Sequence, residues 1–318
     1  MHKPLLISIV GQTATGKTEL ALKLAQDLLN KHYKKVVLLS ADSKQVFQGI
    51  AILTGADIPD NFQPVNNASS TYPYFQNENR TIELHGIACV NGDEDWSVAH
   101  FQRLFKALSK KLGAKTALII VGGTGLYHQQ IFAPAQTTAI KPNLSLRKKL
   151  ETYSLKQLQT KLQKTWPARW KNMNHSDQNN PRRLIRAIEV AQTKKSVKPL
   201  TAQQPTLQVG LQLPLKTLQT KIASRVEERI EQGVMAEVQQ FEMHHPGKML
   251  PAKETLGYHP ILGYLNGHLT LEQLKQVWTL EEIQYAKRQH TWWKKRPGIK
   301  WFATDNVDIS ALKSYNSL

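Results

Sequence analysis

The sequence predicts an α/β fold: a P-loop-type core with a central, mostly parallel sheet flanked by helices, plus a small, basic, all-helical insertion domain. Three observations predict it. First, Gly11-Gln12-Thr13-Ala14-Thr15-Gly16-Lys17-Thr18 stands between an apolar run at 5–10 and a helix-like stretch at 19–30. That is the strand–loop–helix setting in which G-x-x-x-x-G-K-[ST] wraps a di- or triphosphate. Second, further apolar runs at 36–39 and 117–121 have strand length and alternate with helical patterns, the mark of a βαβ sheet. Third, residues 141–200 hold 15 Lys+Arg against 3 Asp+Glu, which is +12 of the chain's net +18. The expected boundaries are a first part of the core at 1–140, the insertion at 141–202, and the rest of the core with a C-terminal helical region at 203–318.

In the phosphate loop, the glycines let backbone N–H groups turn inward and the following helix N-terminus adds positive potential. Lys17 neutralises a terminal phosphate, and the Thr18 hydroxyl can hold Mg²⁺. The second strand, 35–40, ends in Ala41-Asp42-Ser43-Lys44-Gln45. Ligands in open α/β sheets sit beyond the carboxyl ends of the strands, so Asp42 is expected to face the crevice of the phosphate loop. The alternative is a turn or helix-capping aspartate. Residues 58–80, rich in Asn, Gln, Pro, Ser and Tyr, read as a surface loop. A helix follows at 97–112, with Val98, Phe101, Leu104, Phe105, Leu108 and Leu112 on its core stripe.

The strand at 117–121 runs into Gly122-Gly123-Thr124-Gly125. An ordinary P-loop ATPase ends this strand with an acidic residue for the metal; here two glycines allow close backbone approach and Thr124 offers a hydroxyl. Thr124 could equally cap a helix. The insertion reads as helices at 144–162 and 182–192 with Trp166 and Trp170 between them. A strand at 207–213 returns to the core, followed by helices at 215–232, 234–241 and 270–295. Arg225 and Arg229 share one face of the first of these, where the plain role for Arg225 is a surface pair with Glu228. Lys287, Arg288 and Gln289 lead into Trp292 and Trp293. Basic residues interleaved with aromatics suit an RNA backbone and unstacked bases, unless the tryptophans are core.

A charge of +18 points to a polyanionic partner such as nucleic acid. Cys89 is the only cysteine, which rules out a disulfide framework or a cysteine zinc site and fits the reducing cytoplasm. No apolar run is long enough to span a membrane, and the first strand starts too early to leave room for a signal peptide. A monomer is the default expectation.

The stretches 11–18, Ala41-Asp42-Ser43-Lys44-Gln45-Val46-Phe47, 122–127, 180–189, Leu256-Gly257-Tyr258, and Ala286-Lys287-Arg288-Gln289 with Thr291-Trp292 follow one another along nearly the whole chain. As an ordered set they resemble the tRNA dimethylallyltransferases, also called tRNA isopentenyltransferases. The resemblance implies prenyl transfer from dimethylallyl diphosphate to N6 of the adenosine just 3′ of the anticodon, with Mg²⁺ as cofactor and the tRNA anticodon stem-loop as partner. By the same resemblance Asp42 is the base, Lys17 and Thr18 grip diphosphate and metal, and Thr124 and Arg225 assist there. Contact with tRNA falls to Asp42, Ser43, Lys44, Gln45 and Thr124, and to Arg147, Arg182, Arg183, Leu184, Ile185 and Arg186. Glu254, Thr255, Leu256, Gly257, Tyr258 and His259 join them, as do Lys287, Arg288 and Gln289. The chain departs from the family pattern at Asp57, where the family has lysine, at Gly86 after His85, and at His259, where lysine or arginine is usual. Rival readings are an adenylate isopentenyltransferase acting on free nucleotide, a P-loop small-molecule kinase, and an RNA-binding P-loop switch without chemistry.

Overall fold

In the computed structural model, which describes residues 5–66, 70–193, 202–303, Val307 and Leu312, the apolar runs become strands of one sheet. These are β1 (Leu5–Gly11), β2 (Lys35–Ser40), β3 (Phe62–Val65), β4 (Tyr74–Asn77), β5 (Ile82–His85), β6 (Thr116–Val121), β7 (Leu207–Leu211) and β8 (Lys300–Phe302). Their spatial order is β3-β4-β5-β2-β6-β1-β7-β8. All neighbours from β5 to β8 are parallel, and β3 and β4 add an antiparallel edge.

A parallel strand covered on both faces needs apolar side chains on each, hence the unbroken Val/Ile/Leu runs. Ile7, Ile9, Leu38 and Ile119 meet Leu20, Leu24 and Leu28 of α1 (Lys17–Lys31). The alternate residues Leu6, Val37, Leu39, Leu118 and Ile120 meet Phe101, Leu104, Phe105 and Leu108 of α3 (Val98–Lys111), with Tyr127 and Ile131 of α4 (Gly125–Phe132). Each such large side chain contributes about 1.5–3 kcal/mol on burial. A third cluster joins Phe47, Ile50 and Leu53, the last on α2 (Ala51–Thr54), to α10 (Leu215–Glu231), α11 (Val234–His244), α12 (Tyr258–Leu265) and α13 (Leu271–Trp293), around the fully buried Trp278 and Tyr258.

The chain divides into two compact units, Met1–Phe132 with Gln203–Leu318, and Ala133–Ala202. The second is helical: α5 (Leu144–Glu151), α6 (Leu155–Thr165), α7 (Pro167–Lys171), α8 (His175–Gln178) and α9 (Pro181–Ala191). Its core is Leu150, Leu158, Leu162, Met173, Leu184, Ile185, Ala187 and Ile188, with Trp166 and Trp170 packed against it.

Two expectations need correction. The helix expected over 144–162 is two helices, because Ser154 forms a reciprocal capping box with Gln157 and starts α6 afresh. The surface loop expected at 58–80 contains β3 and β4; its residues 67–69 lie outside the described set. These edge strands are short, half-exposed and polar, and β3 contains Pro64, so neither alternation nor β-propensity marks them. Among the described residues no helix is long and apolar enough to cross a membrane.

Candidate active site

The site forms where the loops after β1, β2 and β6 converge. Gly16 takes a left-handed conformation, φ 76°, at the start of α1, which a side chain would strain. Gly122 donates from its N–H to the Ile9 carbonyl at 3.1 Å, and the Thr124 N–H donates to the Ala41 carbonyl, also at 3.1 Å. A Cβ on Gly122 would lie 2.4 Å from that Ala41 oxygen. The glycine thus lets the ends of β2 and β6 touch, which brings Asp42 beside Thr124.

A cavity of about 570 Å³ opens over these ends, lined among others by Lys17, Thr18, Asp42, Arg225, Tyr285 and Gln289. The Lys17 ammonium donates to the Gln12 carbonyl. Burial first, then the nearby Arg225 charge, lowers its pKa to about 7, against an opposing pull from Asp42. An arriving anion would restore the favoured charged form. Arg225 donates to the Thr13 hydroxyl at 3.4 Å and to Asp57 Oδ2 at 3.3 Å. It does not form the surface pair with Glu228 that helix spacing allows; Glu228 accepts from Ser224 instead, at 3.0 Å. Behind it, Arg229 is buried against Glu282 at 3.0 Å. Gly55, φ 59°, makes room for both guanidinium groups, since a Cβ there would lie 2.5 Å from Arg229 Nη2 and 2.7 Å from Arg225 Nη2.

Asp42 fits both of its sequence readings. Its Oδ1 accepts from the backbone N–H of Lys44 at 2.8 Å and of Gln45 at 3.3 Å, a turn that fixes the carboxylate at the cavity wall. Among the described residues Oδ2 has no donor, so it is free to accept a proton from a ligand. The Thr124 hydroxyl does not cap α4; it is buried and faces the Tyr285 phenol. Tyr285 lines the cavity, and its pKa is raised by burial and by Asp42 against an opposing hydrogen bond with Thr124. Among the described residues no group of three or more His, Cys, Asp or Glu could hold a metal. The Thr18 hydroxyl is the donor that would hold a Mg²⁺ ion, a hard cation that takes most of its ligands from phosphate oxygens and water.

The residues expected at RNA are spread over both units. In the helical unit Leu184 and Ile185 are core, so their side chains build the fold and offer RNA no surface. Arg147 grips the buried Glu189 with two bonds of 2.9 Å, and Arg186 reaches the same carboxylate and the carbonyls of Thr137 and Ile140. Arg182 and Arg183 are exposed, the latter paired with Asp177. In the larger unit Thr255 and Tyr258 are buried, the Tyr258 hydroxyl donating to Glu242 at 2.6 Å. Gly257, φ 83°, leaves space for Trp278. Lys44 donates to the Pro251 carbonyl at 2.7 Å, while Gln45 accepts from Ser40 at 2.8 Å and donates to the Gly55 carbonyl at 2.9 Å. Ser43 and Leu256 are half-buried, and Glu254, His259, Lys287 and Arg288 are exposed. Trp293 is core at 2% exposure, and half-buried Trp292 covers Gly125, which favours the packing role over base stacking.

Sequence reasoning passed over Tyr285 and Glu282. Their signal was the spacing 282, 285, 289, 293, which is one face of α13 turned inward.

Comparison with known proteins gives one family. A family model described as IPP transferase matches residues 71–296. A tRNA dimethylallyltransferase of Trichormus variabilis is 34% identical over 311 residues, covering 96% of this chain and 96% of that protein. One from Staphylococcus aureus is 29% identical over 329 residues, covering 98% and 96%. Among solved structures, the full-length tRNA isopentenylpyrophosphate transferase of Bacillus halodurans superposes with a TM-score of 0.64 at 28% identity, over 99% of this chain and 95% of that one. A eukaryotic dimethylallyltransferase acting on tRNA gives 0.72 at 21% identity, over 99% and 77%, a likeness of fold.

Proposed function

The chain belongs to the IPP transferase family, the tRNA dimethylallyltransferases, and on that premise we propose that it moves a dimethylallyl group from dimethylallyl diphosphate to N6 of the adenosine 3′ to the anticodon in tRNA, releasing diphosphate. The observation that carries this reading is a single cavity lined by Lys17, Arg225 and an Asp42 with one uncommitted oxygen.

As the allylic C–O bond breaks, its electron pair goes to the diphosphate oxygen. Lys17, Arg225 and the N–H groups of the phosphate loop stabilise that growing negative charge. The Thr18 hydroxyl would hold Mg²⁺, which would supply further neutralisation of the leaving group. The N6 lone pair forms the new C–N bond while Asp42 Oδ2 takes the N6 proton. Without that acceptor N6 is a poor nucleophile, because its lone pair is delocalised into the ring. The absence of an acidic residue at the end of β6 fits a loop that holds a departing diphosphate in place of ATP.

The adenosine must leave the anticodon-loop stack to reach the cavity, at a cost of a few kcal/mol. The +12 segment supports electrostatic holding of the RNA while it does so. A cytoplasmic monomer is the proposed acting form.

The test is mass spectrometry of unmodified tRNA incubated with the protein, dimethylallyl diphosphate and Mg²⁺, beside a parallel reaction with AMP. Addition of one five-carbon unit to the adenosine next to the anticodon is expected. Prenylation of AMP alone would replace this reading with the free-nucleotide enzyme, and phosphoryl transfer from ATP without use of the prenyl donor would replace it with a kinase.

A further inference from the structure

We propose that Gln289 is a positioning residue that clamps the phosphate loop to the glycine loop after β6, and that its side chain does not grip RNA outside the cavity. The inference rests on the functional reading above for what the cavity holds.

Gln289 follows Lys287 and Arg288 in a stretch that reads as RNA-facing, and both of those are exposed. Gln289 itself is 5% exposed. It lies on the inward face of α13 with Glu282, Ala286 and Trp293. Its Oε1 accepts the backbone N–H of Thr13 at 2.7 Å. Its Nε2 lies so close to Gly123 that a Cβ there would stand 1.9 Å away. One turn back along α13, the Ala286 carbonyl accepts from Gln12 Nε2 at 3.4 Å. One amide therefore touches both loops that face the cavity, and the helix holds the phosphate loop at two successive residues.

Thr13 is where the two helices meet. Its N–H goes to Gln289 on α13, and its hydroxyl accepts from Arg225 on α10 at 3.4 Å. Fixing Thr13 therefore fixes the loop backbone that cradles the phosphates and the resting position of the guanidinium that assists them. The half-buried Thr13 N–H would lose its acceptor without this side chain, so the amide has a role here that is unrelated to RNA. To reach RNA outside the cavity it would have to release Thr13 and leave the cavity wall. The glycine at 123 follows from the same packing.

The test uses Gln289→Met, which keeps the length and removes the hydrogen bonds, in the full chain. Two affinities are measured separately: inorganic diphosphate with Mg²⁺ by calorimetry, and unmodified tRNA by fluorescence anisotropy. Neither depends on prenyl transfer, so a failure of the transfer assay would sink the functional reading alone. The expected result is about tenfold weaker diphosphate binding with tRNA affinity within about twofold of the original. In steady state the KM for the donor rises and the KM for tRNA stays. Weakened tRNA binding with diphosphate unchanged would overturn the proposal in favour of an RNA contact. No change in either would overturn it as well.

Gly123→Ala pushes the amide off from the other side. It should reproduce the phenotype and add little to Gln289→Met, whereas full additivity would count against a shared clamp. If both variants fail to fold, hydrogen exchange of the unaltered protein decides. Protection of the Thr13 amide without ligand supports the clamp, and exchange at the rate of an open loop overturns it.

Discussion

Asp42→Asn separates the two things Asp42 does. Oδ1 holds a turn by accepting from the Lys44 and Gln45 N–H groups at 2.8 and 3.3 Å, while Oδ2 is the proposed proton acceptor. Asparagine keeps a carbonyl oxygen for the turn, so folding stability should change by less than about 0.5 kcal/mol, as for a substitution that breaks no buried interaction. What it lacks is basicity, because an amide nitrogen cannot take the N6 proton. Loss of a positioned base lowers the rate about 10²–10⁴-fold, or about 2.7–5.4 kcal/mol at 1.36 kcal/mol per tenfold. The assay is single-turnover prenylation at saturating donor and tRNA, with a thermal melt and a tRNA binding isotherm on the same preparation. Unchanged melt and binding with the stated rate loss is expected. Asp42→Ala serves as a control that also removes the turn, at about 1 kcal/mol. A rate for Asp42→Asn within about threefold of the original would refute the role, because the turn alone would then account for the residue.

Burial and the Arg225 charge lower the Lys17 pKa to about 7, whereas a bound diphosphate favours its charged form. Calorimetry at pH 8 in buffers of different ionisation enthalpy should therefore show proton uptake on diphosphate binding, and affinity should fall as pH rises through 7; binding without uptake would exclude Lys17 as the titrating group. Asp57 is 69% exposed in its side chain and holds Arg225 at 3.3 Å, an interaction of about 0–1 kcal/mol. Asp57→Asn should release the guanidinium to the ligand and lower the donor KM up to about fivefold; a raised KM would mean that Asp57 orients Arg225 and does not restrain it. Replacing the exposed Arg182 and Arg183 with glutamine should flatten the salt dependence of tRNA binding by about 0.7–0.9 for each phosphate no longer neutralised, and an unchanged slope would remove them from the RNA surface. Arg147→Gln strips a partner from buried Glu189 and should instead lower the stability of the helical unit by about 1–3 kcal/mol, read from its tryptophan fluorescence melt.

The central strands were legible in the sequence because parallel strands buried on two faces leave continuous apolar runs, as at 5–10 and 117–121. The phosphate loop was legible because its backbone geometry requires Gly16. The edge strands β3 and β4 were not, since half-exposed polar residues such as Gln76 and Asn77 carry no period. Asp42 was placed at the cavity by the rule that ligands lie beyond strand ends, but which oxygen stays free depends on the turn that follows. The pairing of Arg225 with Asp57 spans 168 residues. No local pattern can announce it, and helix spacing suggested Glu228 in its place. For Leu184, Ile185, Thr255, Tyr258 and Gln289, a linear motif names a stretch, and the inward or outward turn of each side chain is settled only by packing.

The register of β1 carries a consequence for how the chain is made. Ile7 pairs with Ile119 on one side and with Leu207 on the other. During translation the centre of the future sheet therefore keeps one bare edge until β7 has emerged. The segment 133–202 must be synthesised first, which at about 5–20 residues per second takes about 4–14 s. An unpaired, strongly apolar strand is a template for association with other chains. Ribosome-bound chains stopped between residues 133 and 202 should thus recruit chaperones more strongly than chains extended past β7.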